Sequence, residues 1–335
     1  YLNAISGARL NNKTIACENL KKAIAGNLSY KKEAIKDLEF ILLFEDPVFK
    51  SLTRVIKSGW LTSGEITKKF EEKISKFIGS KYIIATNSCT NGIFVTLKAL
   101  GLKKGDEIIT SPYTFISTIN TLYQLNLRIV FADINLDDFN IDYDELKKKI
   151  SKKTKCILIT HYGGIPCNRD KIIKLCKNKI KLVEDSAGAL GAAIGKKKIG
   201  SFNNSVSVFS LYPNKIITTG EGGLISTNDR RLAKKIRTLI SIGITKDPWK
   251  RTKENLAYKY DLKFPGYKFN FTDLQAAIGI EQIKKIKSIL SYRRKLRKYY
   301  NKGLKELINK NLISVYKNKK NMTSAEYIYT ILINP

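Results

Sequence analysis

Lys215 stands in the stretch Phe209-Ser210-Leu211-Tyr212-Pro213-Asn214-Lys215-Ile216-Ile217-Thr218-Thr219-Gly220-Glu221-Gly222-Gly223, a primary amine followed by a Gly-rich turn. An amine in that setting can hold an aldehyde cofactor covalently, and the arrangement points to pyridoxal phosphate. A lysine by itself carries little information in a chain with 61 Lys and Arg. Its neighbours carry more. The run Ser205-Val206-Ser207-Val208-Phe209 reads as a buried strand, so Lys215 lies just past a strand's carboxyl end, where open α/β sheets place their ligands. A second apolar run, Ile180-Lys181-Leu182-Val183, leads into Glu184-Asp185-Ser186 and sets a carboxylate at another strand end. A pyridinium nitrogen stays protonated beside a fixed carboxylate, which lets the ring accept electrons, and Asp185 suits that place.

A phosphate and a ring face need partners too. The turn Asn87-Ser88-Cys89-Thr90-Asn91-Gly92 follows the strand-like Tyr82 to Thr86 and precedes the helical Ile93 to Leu100. Amides at such a helix start cradle a phosphate, with Thr90 and Asn91 as donors and Ser210 adding a hydroxyl. Phe115, in Ser111-Pro112-Tyr113-Thr114-Phe115-Ile116-Ser117-Thr118, sits just past a strand end, where an aromatic can stack on a flat ring. His161 is a candidate for substrate or cofactor contact at its own strand end, although a lone histidine serves structure at least as readily. Trp60, Thr62 and Tyr212 are further candidates for a substrate cleft.

The elements that must position these groups follow from periodicity. Tyr82 to Thr86, Glu107 to Thr110, Arg128 to Asp133, Cys156 to His161, Lys181 to Asp185 and Val206 to Ser210 read as strands, with Tyr143 to Ile150 and Asp170 to Lys177 as crossover helices. Strands separated by helices predict an α/β fold with a mostly parallel sheet covered on both faces. After residue 230 the strands are expected to stop and long helices to take over. Thr272 and Gln275 predict a capping box for a helix to about Leu290, followed by a second helix from Tyr292 to about Leu307. The expected organisation is an extension over 1–42 with no assigned role, a large cofactor-binding domain over 43–250, and a helical connection and start of a small domain over 251–335. The first residue is Tyr, and Tyr327 to Ile333 reads as an interrupted strand, so the chain is expected to be part of a longer protein.

Composition narrows the partners. At 335 residues and 43% hydrophobic the chain can bury a large core. It has no run of about 18 to 20 apolar residues and no secretory signal, so a cytoplasmic location with no membrane partner is expected. Five cysteines without a Cys-x-x-Cys pair and a single histidine leave little material for a zinc site, and no metal is expected. The net charge of +32 is spread along the whole chain together with abundant Ile and Asn, which fits a compositional bias better than a nucleic-acid patch. Such a field still draws an anionic small substrate towards a cleft.

Taken in order, Ser58-Gly59-Trp60-Leu61-Thr62-Ser63-Gly64, the phosphate turn, the Pro-Tyr-Thr-Phe segment, His161-Tyr162-Gly163-Gly164, Val183-Glu184-Asp185-Ser186-Ala187 and Lys215 to Gly223 resemble the DegT/DnrJ/EryC1/StrS sugar aminotransferases. The resemblance spans roughly residues 43 to 335. It implies a fold-type-I pyridoxal phosphate enzyme in which Lys215 carries the cofactor, Asp185 faces the ring nitrogen and Phe115 stacks on the ring. Thr90, Asn91 and Ser210 match phosphate-binding positions. The stretch Gly266 to Asp273 resembles a segment that crosses a homodimer interface, with Asn270 reaching the partner's cofactor phosphate, so that the active sites are shared. The implied reaction moves an amino group from glutamate to a nucleotide-linked keto sugar, in the biosynthesis of amino sugars and polysaccharides. Two positions depart from the pattern: Gly188 stands where many members carry His or Gln, and Tyr212 where many carry His. Relatives that dehydrate sugars replace the lysine by histidine, so Lys215 argues for amino transfer. The alternatives are another fold-type-I reaction such as sugar dehydration, and an inactive basic binding protein.

Overall fold

Short β-branched runs build one central sheet, and amphipathic segments between them build its cover. The structure is a computed structural model that describes residues 46–245, 260–316 and 319–334, together with Glu18, Asn19, Lys22, Trp249 and Thr252. The expected extension over 1–42 otherwise lies outside the described residues, as does Cys17. In chain order the elements are α1 (Pro47–Lys57), α2 (Glu65–Ile78), β1 (Tyr82–Thr86), α3 (Cys89–Ala99), β2 (Glu107–Thr110), α4 (Ile116–Gln124) and β3 (Arg128–Phe131). Next come α5 (Tyr143–Lys149), β4 (Thr154–Thr160), α6 (Arg169–Cys176), β5 (Lys181–Asp185), β6 (Ala193–Ile194), β7 (Lys197–Lys198), β8 (Val206–Ser210) and β9 (Gly223–Thr227). The remainder is α7 (Arg230–Ile240), α8 (Asp273–Gly303), α9 (Lys305–Asn309), β10 (Ile313–Val315), β11 (Met322–Thr323) and β12 (Ile331–Ile333). Two compact units divide the chain, Tyr1–Leu61 and Thr62–Pro335. In the first, Asp46 caps α1 by accepting from Val48 N at 2.9 Å.

Within the second unit, seven strands pair in the order β1-β9-β8-β5-β4-β2-β3. The pairs from β8 through β5, β4 and β2 to β3 are parallel, whereas β9 runs antiparallel to both β1 and β8. Successive side chains on a strand point to opposite faces, and the cores follow that rule. Ile83, Ala85 and Phe209 join Phe70, Ile74, Ile283 and Ile286 in one cluster. Ile84 and Val208 join Val95, Leu97, Ile236 and Leu239 in another. Both faces are therefore covered, as a mostly parallel sheet requires.

The expected capping box is present: Gln275 N donates to Thr272 Oγ1 and Thr272 N to Gln275 Oε1, each at 3.2 Å. Two expectations need correction. The helices expected on either side of Ser291 form a single helix, α8, because neither Pro nor Gly interrupts Asp273 to Lys302 except Gly279, which is buried in the packing. Strands also do not cease after residue 230, since β10 pairs with β12 and β11 pairs with β6. Strand β9 was not anticipated from its short run, Gly223-Leu224-Ile225-Ser226-Thr227, which follows directly on the Gly-rich turn.

One carboxylate joins α8 to α2. Asp273, at the start of α8 and 3% exposed, accepts from Gly64 N and Thr67 N at 2.8 Å and from Thr67 Oγ1 at 2.6 Å. It thereby supplies the N-terminal cap that Gly64 cannot give α2. Further along, a Cβ on Gly279 would come within 2.6 Å of the Phe70 ring. Gly279→Val is expected to lower stability by about 1–3 kcal/mol through overpacking. Urea unfolding should show this as a lower midpoint at unchanged slope.

Candidate active site

Parallel register sets the carboxyl ends of β4 and β5 level with each other and beside the last residues of β8. Thr160 on β4 lies opposite Asp185 on β5, and Asp185 lies opposite Val208 on β8. Just past β8 the chain makes a closed loop: Leu211 N donates to Gly222 O at 2.9 Å, Thr219 N to Leu211 O at 3.0 Å and Lys215 N to Tyr212 O at 3.0 Å. The loop returns as β9, whose first residue passes the start of α3 so closely that a Cβ on Gly223 would lie 2.5 Å from Ser88 O. Only glycine permits that approach, and it holds the lysine loop against the start of α3.

Between these parts lies a cavity of about 610 Å³, within the usual size of ligand pockets. Ser88, Cys89 and Thr90 line it from the helix start, Asp185, Gly188 and Ser210 from the strand ends, and Tyr212, Lys215 and Glu221 from the loop. Phe115 lines it too and is 76% exposed, so its ring face is open to a ligand. At the rim Tyr162 donates to the Tyr113 hydroxyl at 3.1 Å, with ring centroids 4.5 Å apart. Burial and that hydrogen bond push the Tyr162 phenol up to about 12.

The Asp185 carboxylate is buried and fixed. Thr118 Oγ1 donates to Oδ2 at 2.7 Å and Ala187 N to Oδ1 at 3.1 Å. Burial raises the pKa of the Cys89 thiol well above its ordinary range; the Asp185 charge adds to the rise and the Lys215 charge opposes it. Cys89 thus stays a neutral thiol beside both charged groups. At the helix start Ser88 caps α3 by accepting from Asn91 N at 3.1 Å. The first turn's Cys89 and Thr90 amides precede the internal helix bonds and face an anion naturally. A flat cationic ring with a phosphate fits this donor set: an amine, a fixed carboxylate, helix-start amides and an exposed aromatic.

Several expected residues are placed elsewhere. Asn91 does not line the cavity; its amide is spent on Ser88 and its side chain donates to Asn87 Oδ1 at 2.9 Å. Asn270 lines a neighbouring hollow with Ser63, Thr67 and Glu71, and its Nδ2 donates to Ser63 Oγ at 3.0 Å and Thr62 Oγ1 at 3.3 Å. Trp60 belongs to the first unit, whereas the whole cavity is lined from the second. Thr118, Cys89, Asn214, Glu221 and Tyr327 were not anticipated. Thr118 had a local signal, since it lies one helical turn beyond Thr114 in the Pro-Tyr-Thr-Phe segment. Tyr327 had none, being 112 residues from its partner Lys215.

A strand-end lysine, a carboxylate on the neighbouring parallel strand and a capped helix start in one cavity define the fold-type-I pyridoxal phosphate class. Residues 45–335 match the DegT/DnrJ/EryC1/StrS aminotransferase family, and the chain belongs to that family. An uncharacterised protein of Methanocaldococcus jannaschii is 41% identical over 280 residues, 83% of this chain and 72% of its own length. The spore coat polysaccharide biosynthesis protein SpsC of Bacillus subtilis is 38% identical over 259 residues, 77% of this chain and 66% of its own. Among solved structures, PseC of Helicobacter pylori, an aminotransferase involved in the biosynthesis of pseudoaminic acid, aligns with a TM-score of 0.77 at 30% identity, over 87% of this chain and 76% of PseC. Spr1654 of Streptococcus pneumoniae, solved in its pyridoxamine phosphate form, aligns at 0.78 and 26% identity over 86% and 76%. It has also been solved in a pyridoxal phosphate form. A GDP-4-keto-6-deoxy-D-mannose-3-dehydratase of Escherichia coli with bound hydrated pyridoxal phosphate aligns at 0.77 and 30% identity over 87% and 77%.

His161 also lines the cavity, but its side chain is fully buried and both ring nitrogens are engaged. Nδ1 accepts from Cys167 N at 3.0 Å, so the proton resides on Nε2, which lies 3.2 Å from Glu184 Oε2. Arg169 Nε donates to the other Glu184 oxygen, Oε1, at 3.1 Å, and Ser207 Oγ donates to Oε2 at 2.8 Å. The ring is thereby committed to a structural network beneath the strand ends. Burial pushes the Glu184 carboxyl up, but the hydrogen bond from His161 and the Arg169 charge outweigh it and hold Glu184 at about 2. A carboxyl depressed on folding stabilises the protein above its unfolded value near 4.5, and that contribution fades as pH falls towards 2. Glu184→Gln, which removes the buried charge facing Arg169 and leaves it the exposed Asp170 carboxylate at 3.6 Å, should cost about 3–5 kcal/mol near neutral pH. Urea midpoints measured between pH 7 and pH 3 should show the gap to the parent protein narrowing only below about 4.5.

Proposed function

We propose that this protein is a pyridoxal phosphate-dependent aminotransferase that moves an amino group from glutamate to a nucleotide-linked keto sugar. The observation that carries this reading is the Lys215 amine and the fixed Asp185 carboxylate lining one cavity beyond the carboxyl ends of neighbouring parallel strands. Family membership, and relatives solved with pyridoxal phosphate, support it.

Pyridoxal phosphate, when bound, withdraws electrons from the bond being broken at the amino-acid α-carbon. Lys215 Nζ would hold it covalently, and as a free amine would serve as the general base at that carbon. Asp185, held by Thr118 and Ala187, keeps the ring nitrogen protonated. Cys89 and Thr90 amides and the Ser210 hydroxyl receive the phosphate, while Phe115 covers the open ring face. Asn270, which faces a hollow outside its own subunit's cavity, completes the phosphate site of a second copy in a homodimer. A nucleotide sugar is anionic, and a chain of net charge +32 draws it in.

Purified protein mixed with pyridoxal phosphate should develop a visible absorption band that borohydride fixes covalently at Lys215. Lys215→Ala should lose band and label. Asp185→Asn should keep the label but lose roughly 10²–10³ in turnover. Sugar product should carry nitrogen and require glutamate; a deoxygenated product formed without nitrogen uptake would establish dehydration instead.

A further inference from the structure

Tyr327 reaches the cavity from the carboxyl-terminal part of the chain, and its phenol oxygen accepts from Lys215 Nζ at 2.8 Å. The same hydroxyl donates to Asn214 Oδ1 at 3.2 Å, which commits its proton and turns its lone pairs to the amine. Nζ also lies over the Tyr327 ring, 4.1 Å from the centroid, where the ring's quadrupole attracts a cation. Two independent features thus bind one atom.

The tyrosine is itself held from behind. Its N–H donates to Gly163 O and that of Ala325 to Gly164 O, both at 3.0 Å. Arg293 donates to the carbonyls of Glu326 and Tyr327 at 3.3 and 3.2 Å, and Arg297 pairs with the Glu326 carboxylate at 2.9 Å. Space for the ring comes from Gly188, where a Cβ would lie 2.3 Å from Tyr327 Cδ1. Any side chain at 188 would occupy the volume that the Tyr327 ring fills.

We propose that Tyr327 is the positioning residue of the Lys215 amine, holding Nζ whenever that atom is not bonded to the cofactor, and that position 188 is glycine to admit it. A lysine on a four-carbon stem has large rotamer freedom. Anchoring its tip keeps the amine where it must attack the cofactor's aldehyde and where it must move a proton. The inference rests on Lys215 as the attachment site proposed above.

The test follows capture of added pyridoxal phosphate by the cofactor-free full chain, read as growth of the visible band and as borohydride-fixed label on the Lys215 peptide. Tyr327→Phe keeps the ring and removes the hydroxyl. Capture should slow about tenfold, the factor one hydrogen bond carries, while the urea midpoint stays unchanged. Gly188→Ala, which displaces the ring, should slow capture similarly. In the double variant it should change the Tyr327→Phe rate by less than about twofold, since both act through one contact. Capture at the parent rate in Tyr327→Phe overturns the inference, and so do two slowdowns that multiply independently. Failure of the unsubstituted protein to take label at Lys215 refutes the attachment reading instead.

Discussion

Everything at the site depends on the parallel register of β4, β5 and β8, in which β4 and β5 end together and β8 runs on two residues to Ser210. Parallel pairing of β4, β5 and β8 sets Thr160, Asp185 and Val208 side by side, and the chain leaves each strand at that edge. Parallel strands present their carboxyl ends at one edge of the sheet, so the chain exits there each time: β4 leads through a turn to α6, β5 to the β6–β7 hairpin, and β8 to the lysine loop and β9. The lysine loop, the Pro-Tyr-Thr-Phe segment and the turn after His161 all emerge around one cavity for that reason. The antiparallel β9 then returns from the lysine loop beside β1, and the close approach of Gly223 to Ser88 joins the amine-bearing loop to the helix start.

Alternation along β5 divides the labour between two adjacent carboxylates. Asp185 faces the cavity and is fixed by a hydroxyl and one amide. Glu184 points into a buried network with Arg169, His161 and Ser207. Each of its oxygens has a donor, which is what allows a fully buried carboxylate to remain charged. The network supports the strand ends from below, and it engages the histidine that the sequence offers as a candidate for substrate or cofactor contact.

The short carboxyl-terminal stretch is drawn over the cavity by backbone bonds to Gly163 and Gly164 and by Arg293 and Arg297 of α8. It contributes Tyr327 to the lysine and Ile328 to the cavity wall. The length of α8 matters here: a single helix carries Gly279 against α2 at one end and the two arginines to the Tyr327 strap further along. A break at Ser291 would separate those two contacts.

Lys215, Asp185, Phe115 and Ser210 were legible in the linear chain because each sits at the end of an apolar run, and strand ends in α/β sheets are local features. The capping box of α8 was legible for the same reason: its two residues are three positions apart. What the sequence could not supply were pairings across long separations. Asp273 caps α2 across 206 residues, and Lys215 meets Tyr327 across 112. The hydrogen bonds that engage Asn91 and His161 depend on which neighbour reaches them first, and for His161 that neighbour is Glu184 on the adjoining strand. Spacing along the chain encodes what lies within one strand, turn or helix, whereas packing and burial alone decide which distant side chains satisfy one another.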